Sequence, residues 1–112
     1  MQELHVVNVL GTEYKIILTT EQEDSRLKEL NGCCDPSTKE ILVEKNIPED
    51  DHTIRDLEDF RRKVIRHELV HAFLYESGLH DQCYWATNEE IVDWVAIQLP
   101  KMFNVISKVN CL

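Results

Sequence analysis

The sequence predicts an α+β fold, with a small antiparallel sheet in the first half and two main helices in the second. Three observations carry that prediction. Short runs of β-branched and aromatic residues separated by turn residues fill the stretch before Lys45. From Thr53 onward the apolar residues recur at spacings of three and four, the helical period. The three glycines, Gly11, Gly32 and Gly78, all fall where one pattern gives way to the next. A chain of 112 residues suits a single domain spanning residues 1–112.

Leu4 to Val9 reads as a strand, Leu10-Gly11-Thr12-Glu13 as a turn, and Tyr14 to Thr19 as the return strand of a hairpin. Glu21 to Leu30 sets Leu27 and Leu30 on one side of a short amphipathic helix, which Asn31-Gly32 would stop. Cys33-Cys34-Asp35 is a short strand, Asp35-Pro36-Ser37-Thr38 a turn, and Glu40 to Glu44 a strand with a buried apolar centre. Asn46 to Asp51, with Pro48 and an acidic run, is a loop. Thr53 and Asp56 form a capping box that opens a helix over residues 53–77, closed by Gly78 and Leu79. His80 to Ala86 is a loop. Thr87 and Glu90 form a second capping box, opening a helix over residues 88–99. Pro100 breaks or kinks it, and Lys101 to Val109 continue as a final helix.

Composition narrows the function classes. The formal net charge of −9 disfavours nucleic acid as a partner. The acidic clusters Glu21–Asp24, Glu49–Asp51 and Asp56–Asp59 read as solvated faces and loops. No apolar run is long enough to span a membrane, and Met1 to His5 lack the features of a secretion signal, so an intracellular location is the expectation. Cys33, Cys34, Cys83 and Cys111 are expected as free thiols; no Cys-x-x-Cys spacing suggests a four-thiolate zinc site.

The chemistry concentrates in His67-Glu68-Leu69-Val70-His71. Leu57, Phe60, Val64, His67, His71 and Leu74 form one stripe at helical spacing, so the two histidines occupy positions where a core helix would carry Leu or Val. Two inward imidazoles without partners would cost several kcal/mol. Four residues apart, they project to one side and can share a metal ion. Zinc takes imidazole nitrogen at roughly 2.0–2.1 Å, and a catalytic site pairs three protein ligands with water. Glu68 is placed as general base, because the metal lowers the pKa of bound water from 15.7 to about 7. The same donors suit another divalent ion.

The third ligand lies elsewhere. A third histidine six residues after His71 is ruled out by Ser77, and Leu74 stands where that longer pattern needs glycine. Asn88-Glu89-Glu90-Ile91-Val92-Asp93 is the better source. Glu89 is assigned as ligand and Asp93 as acceptor of a histidine ring N–H. Glu90 competes, but its position fits the cap with Thr87. An acidic first helical turn is also what the helix dipole favours.

His67-Glu68-x-x-His71 followed by Asn88-Glu89-x-x-x-Asp93 resembles the gluzincin zinc peptidases, which include thermolysin. The small size and Glu89-x-x-Val92-Asp93-x-Val95-Ala96 are also similar to compact ImmA/IrrE-type peptidases of phages and mobile elements. That group prefers Ala, Asn and Phe where Val92, Asp93 and Val95 stand. The resemblance implies a minimal zincin, with a short sheet, an active-site helix and a glutamate helix. It also implies one zinc ion on His67, His71 and Glu89, with Asp93 behind the first histidine.

The expected activity is hydrolysis of a protein or peptide substrate held along a strand edge, for which Ile41 to Glu44 is the candidate. A tetrahedral intermediate needs a further donor, and His80, Tyr84 and Tyr75 are nearest in sequence. Both tyrosines also read as packing aromatics and His80 as exposed. Trp85 and Trp94 read as core or pocket wall, His5 and His52 as surface residues. The alternative is a non-catalytic, metal-stabilised interaction module in which Cys83 or His80 closes the coordination.

Overall fold

The computed structural model describes residues 1–47 and 56–112. Four strands, β1 (Gln2–Val9), β2 (Thr12–Thr19), β3 (Gly32–Asp35) and β4 (Glu40–Glu44), form one sheet in the order β1-β2-β4-β3. Helix α1 (Leu57–Glu76) packs on that sheet. A short helix α2 (Leu79–Gln82) and a 3-10 turn (Tyr84–Thr87) lead into α3 (Glu89–Lys108), which lies against α1. The fold class is α+β, as the sequence predicts.

The sheet is mixed rather than antiparallel. β1–β2 and β3–β4 are antiparallel, but β2 and β4 run parallel, with Ile16 beside Ile41 and Leu18 beside Val43. Burial explains the arrangement. Ile41, Leu42 and Val43 are three consecutive apolar residues, each at most 1% exposed, and only a strand covered on both faces buries such a run. β4 is therefore inserted between β2 and β3. The edge beside α1 is β3, so Ile41–Glu44 is not the strand edge the sequence suggested.

Hairpin β1–β2 closes through Leu10 and Gly11, with φ of 51° and 95°, the left-handed pair that a two-residue hairpin loop needs. Asn8 Oδ1 accepts from the Gly11 amide at 2.8 Å. The turn before β4 forms as expected, with Asp35 Oδ1 accepting from the amides of Ser37 and Thr38.

The helix expected over Glu21–Leu30 is only a 3-10 turn, Ser25–Leu27. Local polar bonds outcompete a helix there. Asp24 accepts from the Arg26 amide, and the Arg26 guanidinium reaches Asp24, Asp35 and Glu40 at 2.7–3.1 Å. Glu29 is left-handed, with φ of 60°. Leu27 is fully buried, whereas Leu30 is half exposed. Gly32 is no helix stop. It is the first residue of β3, and a Cβ there would sit 2.6 Å from Val64 Cγ1 and 3.1 Å from Glu68 Oε2. Glycine is required because β3 lies flat on α1.

Asp56 caps α1, its Oδ1 accepting from the Asp59 amide at 3.0 Å; the proposed cap Thr53, His52 and most of the acidic loop lie outside the described residues. The other end matches expectation, with Ser77 as C-cap and Gly78 at φ 81°. The stretch 80–86 is not an open loop, because α2 and the 3-10 turn occupy most of it. Asn88, not Thr87, caps α3, its Oδ1 accepting from the Ile91 amide at 2.9 Å; Thr87 Oγ1 instead donates to the Tyr84 carbonyl. Helix α3 then runs unbroken through Pro100 to Lys108.

Candidate metal centre

The deepest line along α1 is Val64, Glu68 and Ala72 rather than the histidine stripe. The sheet covers one side of α1 and α3 another, so His67 and His71 stand at the seam, with side chains 18% and 13% exposed. Their ring centroids are 5.0 Å apart. From across the seam, the first turn of α3 brings Glu89 against both. His67 Nε2 lies 2.9 Å from Glu89 Oε2, and His71 Nε2 lies 2.9 Å from Glu89 Oε1. One nitrogen from each histidine and one oxygen of Glu89 all fall within 4.8 Å of one another.

Asp93 stands one helical turn further along α3, with Oδ1 3.2 Å from His67 Nδ1 and 3.5 Å from Lys63 Nζ. Both ring nitrogens of His67 thus face carboxylate oxygens. A neutral imidazole carries one N–H, so only one of those contacts can be a hydrogen bond. With that proton on Nδ1 toward Asp93, the Nε2 lone pair points at an oxygen of Glu89, and a cation between the two would turn that repulsion into attraction. The donor set fits a dication of borderline softness. Burial is the main reason the His71 pKa is lowered, favouring the neutral form that ligates.

Glu68 is 8% exposed and lies under Gly32, on the sheet side of the same helical turn. Burial chiefly, opposed by His67 and reinforced by Glu89, pushes its carboxyl pKa up to about 7. A carboxyl in that range exchanges protons readily near neutral pH.

These groups line a cleft of about 460 Å³ between β3 and the seam of α1 and α3. Its wall includes Gly32, Cys33 and Cys34 on one side, and Phe60, Lys63 and Val64 toward the start of α1. Burial raises the Cys34 thiol to about 12, which keeps it protonated and unreactive. All four cysteines are free thiols.

Of the proposed oxyanion donors, Tyr75 and His80 line the cleft and stack on each other, with ring centroids 3.9 Å apart. Tyr84 is 91% exposed and stands outside it. Trp85 and Trp94 form neither core nor cleft wall, being 46% and 57% exposed. His5 is at the surface, as expected. Glu90, exposed, is outside the convergent group, although the cap that set it aside is made by Asn88 instead. Cys83 and His80 are not in that group either. The sequence reading missed Gly32 and Lys63; the signal for Gly32 was a glycine beside a half-buried strand, assigned there to a helix end.

Comparison with protein-family models, curated proteins and solved structures finds no match to this chain. None of the described helices is long and apolar enough to cross a membrane.

Proposed function

We propose that this chain is a metal-dependent peptidase, with zinc as the expected ion and Glu68 as general base. The observation that carries the reading is the convergence of His67, His71 and Glu89 within 4.8 Å beside a buried Glu68. The resemblance of the two motifs to the gluzincin and ImmA/IrrE-type peptidases supports it. Three protein ligands leave a coordination position for water or substrate, whereas a purely structural site is closed by a fourth. A dication held there supplies Lewis acidity, lowering the pKa of water and polarising a carbonyl.

The chain's own residues do the rest. Asp93 accepts a hydrogen bond from His67 Nδ1–H and so aims the Nε2 lone pair at the site. Burial keeps His71 neutral. Glu68 would accept a proton from the attacking water and pass it to the leaving amine. Among the described residues strand β3 pairs only with β4, so its other side would offer main-chain groups to an extended peptide entering the cleft. A flexible segment of another protein is the fitting substrate. Tyr75 and His80, both in the cleft wall, are the candidates to donate to the developing oxyanion.

Metal content of the native protein, with cleavage of an unfolded protein substrate by wild type and Glu68→Gln, tests the reading. Stoichiometric metal in both proteins and cleavage by wild type alone is expected. Absence of bound metal, or equal cleavage by the variant, would sink it.

A further inference from the structure

The face that α3 lays on α1 does not end where α1 ends. Val92 and Ala96 are fully buried, and the same apolar stripe continues through Leu99, Met102, Phe103 and Ile106 at spacings of three and four. Beyond Ala96, the stripe lies bare. Leu99 is 45% exposed, Met102 44% and Phe103 57%, and Val105 and Val109 beside them exceed 60%. A shallow cavity of about 400 Å³ runs along Leu99, Pro100, Met102, Phe103 and Ile106. An aromatic side chain carries roughly 150–250 Å², so with its aliphatic neighbours this face leaves on the order of 500 Å² of apolar surface in water. That is at the upper end of what monomers expose and approaches the ~800 Å² per partner of a standard interface.

Charge distribution indicates the occupant. Residues 94–112 contain no Asp or Glu, while the rest of the chain holds all 21 acidic residues and all but two of the 12 basic ones. A two-fold pairing of the acidic parts sets −11 against −11, whereas one at this tail, with Lys101 and Lys108 as its only charged side chains, sets +2 against +2 and repels least. We infer that the C-terminal half of α3 is a self-association surface, on which two copies pair antiparallel through a two-fold axis near Met102 and Phe103. Such an axis sets Leu99 of one copy beside Ile106 of the other, making the contact self-complementary. It also keeps the two acidic bodies at opposite ends of the helix pair. Phe103 lies fourteen residues along α3 from Glu89, about 21 Å at 1.5 Å per residue, so pairing leaves the cleft open. The inference does not depend on the proposed activity.

Sedimentation equilibrium of the full chain decides it, run up to about 100 µM, where a dimer of micromolar affinity is saturated. Wild type is expected at about twice the 13.2 kDa chain mass. Phe103→Glu, and separately Met102→Lys, are expected to weaken association at least about 100-fold with unchanged helical signal and melting temperature, since both side chains are already half exposed. A monomeric wild type at 100 µM overturns the inference. So does a dimer that survives both substitutions, or a monomer that cosediments with anionic lipid vesicles, which would assign the face to a membrane surface.

Discussion

Arg66 Nε donates to the Ala96 carbonyl at 2.7 Å, and Ala96 is the residue whose carbonyl Pro100 leaves without its intrahelical partner. A side chain of α1 thus replaces the missing amide of α3. The bond repairs the second helix and pins it to the first, one turn from where Glu89 and Asp93 meet the histidines.

Removing that donor has a defined cost. Arg66→Met should destabilise the fold by about 1–3 kcal/mol, because the Ala96 carbonyl is left buried and unpaired. Pro100→Ala supplies the lost amide and should recover most of the loss in the Arg66→Met background. Urea unfolding of the two single variants and the double variant measures the coupling; strictly additive effects would show that the two positions do not share the carbonyl.

The two acidic neighbours at the start of α3 should separate cleanly. Glu89→Ala is expected to abolish stoichiometric zinc binding, while Glu90→Ala binds as wild type does. Asp93→Ala should weaken the metal by about 10–100-fold, the usual effect of losing the acceptor behind a ligating histidine. Isothermal titration with zinc reads all three. Retention of wild-type affinity in Glu89→Ala would place the third ligand elsewhere.

Gly32 and Val64 form a testable contact. Gly32→Ala puts a methyl group 2.6 Å from Val64 Cγ1, and overpacking of that kind costs about 1–3 kcal/mol. Val64→Ala in the same chain should relieve it, making the double variant more stable than the sum of the single changes predicts. Thermal melts of the four proteins provide the comparison, and the glycine's role fails if Gly32→Ala alone melts with wild type.

The hairpin is tied to α1 by Glu76, whose Oε2 accepts from Tyr14 Oη at 2.7 Å and Lys39 Nζ at 3.0 Å. Hydrogen bonds from Thr12, Tyr14 and Lys39 lower the Glu76 pKa from 4.5 to about 2. A carboxylate whose pKa is depressed on folding stabilises the fold above its unfolded value, and that contribution is lost as pH falls through the folded value. Glu76→Gln should therefore be less stable than wild type at pH 7. The gap should close as pH drops from 4.5 toward 2. Denaturant curves at pH 7, 4 and 2.5 follow it; a gap that stays constant would show that Glu76 does not act through its charge.

Much of the candidate centre was legible in the order of residues, because its parts obey local geometry. The four-residue spacing of His67 and His71 puts both rings on one side of any helix, and the same spacing does so for Glu89 and Asp93. The α+β class, the β1–β2 hairpin and the end of α1 at Gly78 are likewise consequences of short-range pattern and turn chemistry. The tertiary structure decided whatever depended on partners distant in sequence. It inserted β4 between β2 and β3, where α1 covers Ile41 and Val43 on one face and Leu27 covers Leu42 on the other. It reduced Glu21–Leu30 to a single turn, since Arg26, held locally by Asp24, also reaches Asp35 and Glu40 in other parts of the fold. It carried α3 through Pro100, since Arg66 supplies the missing donor. It placed Glu68, rather than the histidines, on the most buried line of α1, since β3 closes over that carboxylate through a residue with no side chain. Local spacing put His67 and His71 on one side of α1, and the packing of α3 on α1 decided that Glu89 joins them.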